Sequence, residues 1–121
     1  MLINFSNHPS ELWSRGQMSE AKRLWAGVVD IHFPMVDPEA GENEIHALAV
    51  RYADKILEML KASPGGSNAV HIMGELTLCF QVVQLLKENS VTCVVSTSLR
   101  VSQEEDGVKI SEFKFVKFRK Y

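Results

Sequence analysis

Apolar runs of strand length alternate with segments of helix length along this 121-residue chain, and that alternation leaves few folds open to it. Residues 2–5, Leu2-Ile3-Asn4-Phe5, read as a buried strand, broken by the turn from Ser6 to Pro9. Ser14, with Gln17 three residues on, matches a capping box better than the competing cap at Ser10. Gln17, Met18, Ala21, Leu24 and Trp25 then recur at helical spacing until Gly27 gives the helix its exit. Residues 28–33 form a second strand closed by Pro34, and residues 34–43, rich in proline, glycine and acids, form a surface loop.

The second helix is the most sharply marked. Ile45, Leu48, Ala49, Tyr52, Ile56, Met59 and Leu60 share one face, opposite Arg51, Asp54, Lys55 and Glu58. The Ser-Pro-Gly-Gly-Ser-Asn stretch at residues 63–68 stops it. Residues 69–73 make a third strand, and Gly74-Glu75 lead into a third helix over about residues 76–89. That helix is apolar nearly all round, so it is expected to be covered on two sides, by its own sheet and by another subunit. Residues 91–96 read as a fourth strand, and residues 99–103 and 108 onward as a hairpin turned by Asp106-Gly107.

The order β-α-β-α-β-α-β-β implies an α/β, Rossmann-like fold: a mostly parallel sheet of order 2-1-3-4-5 with a C-terminal antiparallel β-hairpin. Residues 1–121 read as one domain, long enough to bury a core without staples. A net charge of −2 gives no general attraction to a long nucleic acid or an anionic membrane. No apolar run spans a bilayer and no leader opens the chain, so the expected location is the cytoplasm. Cys79 and Cys93 sit in apolar segments and read as buried reduced thiols.

In open sheets of this kind ligands bind past the carboxyl ends of the strands, where the winding reverses. That places the expected crevice between strands one and three. Ser6, Asn7, His8 and Ser10 face it from one side, and Gly74, Glu75 and Thr77 from the other. His8 reads either as a general acid or base or as a residue bonded to its own loop. Asn7 reads as a ligand contact or a turn former. Gly74 allows a sharp turn into a helix whose first N–H groups suit an anion, although a lone glycine is no phosphate fingerprint and Glu75 opposes a phosphate above it. Ser96, with Thr97, Ser98 and Arg100, makes a second polar cluster at a strand end, suited to a phosphate or to satisfying backbone groups. No histidine shares metal-ligand spacing with the cysteines, so no metal is expected, nor is there a cofactor motif or a G-x-S-x-G elbow. Lys114, Lys117, Arg119 and Lys120, set among aromatics, read as a solvated edge strand or as a contact for single-stranded nucleic acid.

The opening segment, from Leu2 through Ser6-Asn7-His8-Pro9 with Ser10 and Gln17, resembles small CRISPR-associated proteins of Rossmann-like fold related to CARF domains. Gly74-Glu75-Leu76-Thr77 resembles the Gly-and-Thr turn of CARF-type ligand sites. The resemblance implies a homodimer that binds a cyclic oligoadenylate second messenger and, as a ring nuclease, cuts it without metal by attack of the ribose 2′-hydroxyl. It implies His8 as acid or base, with Asn7, Ser10, Thr77 and Arg100 holding phosphates and bases. Neither turn holds a lysine or arginine, a departure that separates binding from cleavage. The alternative is a non-enzymatic dimeric regulatory or interaction module of the same fold.

Overall fold

Strand β1 (Leu2–Ser6) is buried at every residue in the computed structural model, which describes residues 1–121. It lies inside the sheet because parallel strands flank it on both edges, β2 (Val28–His32) on one and β3 (Ala69–Met73) on the other. Strand β4 (Cys93–Glu105) follows β3 in parallel and β5 (Val108–Lys120) closes the sheet antiparallel to β4, giving the order β2-β1-β3-β4-β5. This is the α/β, mostly parallel 2-1-3-4-5 sheet with a terminal hairpin that the pattern of runs implies.

Helices α2 (Glu42–Lys61) and α3 (Leu76–Glu88) cover the face to which Ile3, Phe5, Val70 and Ile72 point. Helix α1 (Arg15–Trp25) and Trp13 cover the other, over Leu2, Ala69 and Val94. Ser14 caps α1 by accepting from the Gln17 N–H at 3.2 Å, but the box is only half made: the Ser14 N–H makes no return bond to the Gln17 side chain, whose buried Nε2 has no partner either. The exit of α1 also differs from expectation. Ala26, not Gly27, takes the positive φ, 69°, and the Gly27 N–H donates to the Trp25 carbonyl at 2.8 Å in a γ-turn.

Two further expectations are corrected. The second cover of α3 is α2 of the same chain, with the rings and amides of His46 and Gln81 bridging them at 2.9 Å. Only Leu76 and Phe80 of α3 leave large apolar side chains in solvent, at 82% and 64% exposure. Strand β4 does not stop at Ser96, because β5 supplies a hydrogen-bonding edge from Val94↔Lys120 out to Glu105↔Val108. Asp106 and Gly107, at φ 52° and 76°, form the two-residue turn. Strand β3 pairs with β4 only at Val70↔Cys93 and His71↔Val94, so beyond Ser98 the β4–β5 hairpin leaves the sheet as a two-stranded arm. At about 3.3 Å per residue it reaches roughly 26 Å. No helix is long and apolar enough to cross a membrane.

Candidate functional site

The neighbouring parallel strands β1, β2 and β3 each carry a polar residue at the third position: Asn4, Asp30 and His71. The register sets Asn4 directly between Asp30 and His71, on the face that α1 covers. Asn4 is 1% exposed and His71 is fully buried, so their polar atoms must find partners inside the fold. Asn4 Nδ2 donates to Asp30 Oδ1 at 2.9 Å and to the His8 carbonyl at 3.1 Å. Both of these are acceptors, which fixes the amide and turns Asn4 Oδ1 toward His71 and Ser6. Ser6 Oγ donates to that oxygen at 2.7 Å, and His71 Nδ1 lies 2.8 Å from it and must donate. His71 is therefore the neutral Nδ1–H tautomer, with Nε2 free to accept from Ser96 Oγ at 3.2 Å. Burial, and then the charge of His8, push the His71 pKa down to about 4, which keeps it neutral.

This polar row holds the turn after β1. The His8 carbonyl also accepts from Trp13 Nε1 at 3.0 Å, and the His8 N–H donates to Ser6 Oγ at 3.2 Å. Asp30 Oδ2 accepts from the Ser10 N–H at 3.2 Å and from its hydroxyl at 2.9 Å. Trp13 packs edge-on against the His71 ring, with centroids 5.3 Å apart. The backbone of His8 is thus pinned at several points while its side chain stands in solvent.

The crevice between β1 and β3 is closed. The Asn7 N–H donates to the Met73 carbonyl across it at 3.1 Å. The Phe33 ring lies against Phe5, 4.8 Å between centroids, and directly over Gly74, where a Cβ would run into the ring. The open volume falls on the other side of β1, in a cleft of about 500 Å³ at the carboxyl ends of β1 and β2. Ser6, Asn7, Glu11, Asp30, His32 and Phe33 are among its walls, and no lysine or arginine is. Its walls carry two carboxylates, Asp30 and Glu11, beside the amides of Asn4 and Asn7, and no side chain with a fixed positive charge.

Of the residues expected from sequence, Ser6 and Asn7 line this cleft, and Ser10 is bound to its Asp30 wall. Glu75 and Thr77 lie at the start of α3 instead. The Glu75 carboxylate accepts from the Leu78 N–H at 2.8 Å and from the Thr77 N–H at 3.1 Å, and takes the Thr77 hydroxyl at 2.7 Å. The Leu78 N–H and then the Thr77 hydroxyl hold its pKa below the usual carboxylate range. The side chain so occupies the N–H groups an anion would need. Ser96 lies within β4, not at a strand end, and its hydroxyl belongs to the His71 network, 2.9 Å from Met73 Sδ as well. Arg100 is on the outer arm, bonded to Ser111 Oγ at 3.2 Å and 6.0 Å from the Phe113 ring centre.

Sequence reasoning missed Asn4, Glu11, Asp30, His32, Phe33 and His71. One signal was present: a polar residue at the third position of each of the first three strands, within mainly apolar runs. No three His, Cys, Asp or Glu side chains converge as metal ligands. Cys79 and Cys93 are free and buried, and burial raises both thiols to about 11. No curated protein and no solved structure matches the chain. The model of the uncharacterized protein MJ1673 family matches residues 1–119, and the chain belongs to that family.

Proposed function

We propose that the chain is a non-enzymatic regulatory module that binds a small hydroxyl- or amino-bearing molecule, neutral or cationic, in the β1–β2 cleft. The observation that carries this reading is the wall chemistry: Asp30, Glu11 and Asn7 offer acceptors and no lysine or arginine offsets the carboxylates. Such a site favours ligand donors and repels phosphate. The Asn4–His71–Ser96 chain has the connectivity of a nucleophile, base and orienting amide. Ser96, however, borders none of the larger clefts, and the chain serves to satisfy buried polar groups. The buried free thiols fit a cytoplasmic setting.

A second reading, cyclic oligoadenylate as ligand, is favoured by one observation: Ser6 and Asn7 of the segment that resembles CRISPR-associated proteins line the cleft. On that reading the nucleoside hydroxyls and amines enter, the phosphates stay outside, and the exposed His8 ring acts as acid or base. Titration of nitrogen-15-labelled protein with putrescine, ribose, adenosine and cyclic tetra-adenylate separates the two. The expected result is shifts at Asn7, Glu11 and Asp30 with one of the first three, lost in Glu11→Gln, a substitution that breaks no internal bond. Tighter binding of cyclic tetra-adenylate than of adenosine, with linear products, would replace the first reading by the second. No response at the cleft to any probe removes both.

A further inference from the structure

Independently of the cleft, the arm formed by the outer halves of β4 and β5 has a face with no cover. Side chains alternate across a strand, so Leu99, Val101, Gln103 and Glu105 project on one face of β4. The register sets Lys114, Glu112, Ile110 and Val108 opposite them, on the same face. The bulge at Thr97/Ser98 then brings Lys117 to that face as well, opposite Thr97. Leu99, Val108 and Ile110 are 60%, 60% and 51% exposed. A two-stranded ribbon is marginal in water on its own, and exposed strands are usually short or heavily charged. This one is long and carries an apolar stripe.

The charges on that face are polarised along its length. Glu105 sits at the tip, beside Glu104 and Asp106 of the turn, while Lys114 and Lys117 sit at the base. Between them lie Leu99, Val101 and Ile110 with one further carboxylate, Glu112, two residues from Lys114 on the same strand. The ribbon is thus acidic toward its tip and basic at its base, and these ends are complementary when a second copy is turned end for end. Because β4 runs parallel to β1 and β3, the arm projects past the carboxyl ends of the sheet, clear of the domain.

We propose that this arm is a dimerisation element whose partner is a second copy of the chain. The two arms pack face to face about a two-fold axis, as an isologous interface requires. Leu99, Val101, Val108 and Ile110 bury against their counterparts, and each Glu105 tip meets Lys114 and Lys117 of the other copy.

Sedimentation equilibrium of the full chain at micromolar concentration tests this. The wild type is expected to be a dimer that weakens with added salt. Ile110→Ser, Glu105→Lys and the pair Lys114→Glu with Lys117→Glu are each expected to raise the dissociation constant about tenfold or more, the change expected from losing one central contact. A cooperative thermal transition and an unaltered far-ultraviolet circular dichroism spectrum show that each variant is folded. Mixing the Glu105→Lys chain with the Lys114→Glu, Lys117→Glu chain restores opposite charges at both ends, so a heterodimer should return. A monomeric wild type, a dimer indifferent to all three changes, or no recovery on mixing overturns the proposal.

Discussion

At the scale of single residues, His71 shows how a buried polar group sets a pH limit on the fold. Its Nδ1–H is committed to Asn4 and its ring is fully buried, so protonation at Nε2 meets desolvation and the Ser96 hydroxyl. The folded pKa of about 4 lies below the ordinary 6.5, so the unfolded chain binds the proton more readily. The stability from keeping His71 neutral is therefore full above pH 6.5 and is lost as the pH falls from there to 4. At about 1.4 kcal/mol per pKa unit, the loss is on the order of 3 kcal/mol. Urea unfolding across that range should show it, and His71→Phe should flatten the slope while lowering stability throughout; an equally steep slope in the variant would place the proton elsewhere. Ala26 makes the opposite kind of prediction. Its φ of 69° in a γ-turn is a conformation that a Cβ disfavours and glycine does not. Ala26→Gly should raise stability by about 1 kcal/mol, read as a shift in the urea midpoint with unchanged slope.

At the scale of elements, the parts legible in the sequence were those set by local patterns. The apolar stripe of α2 and the Ser14 cap with its 3.2 Å bond needed nothing from distant residues. The Asp106-Gly107 turn was legible for the same reason, since both residues have to take positive φ. What depended on tertiary partners was hidden. The end of β4 could not be read from Ser96-Thr97-Ser98, because those residues continue the strand only where β5 pairs with them. The apolarity of α3 suggested a second subunit, yet a second helix of the same chain was enough to cover most of it. The site moved for a similar reason. In open sheets ligands are expected at the carboxyl ends of the strands, and there Phe33 folds back over Gly74 and closes one crevice, leaving the neighbouring one open. Glu75 and Thr77 were noticed as polar residues near that place, and their chemistry is spent on capping α3.

At the scale of the whole molecule, two regions of unlike stability share one chain. Strand β1 is bonded on both edges and covered on both faces, so its amides open only when the domain does. The outer arm has neither cover, and in an isolated copy its backbone bonds should break with little cost. Native-state hydrogen exchange reads both limits in one experiment. Amides of β1 and β3 should exchange with the free energy of global unfolding, while those of residues 98–116 should exchange much faster in dilute protein. If a second copy covers the arm, that contrast must shrink as concentration rises, since association stabilises only the segment it buries. The β1 amides then gain no more than the dimer adds to the stability of the whole, whereas the arm gains nearly all of it. Arm amides that are slow and insensitive to concentration would mean that the ribbon holds itself, against what its exposed stripe of Leu99, Val108 and Ile110 leads us to expect.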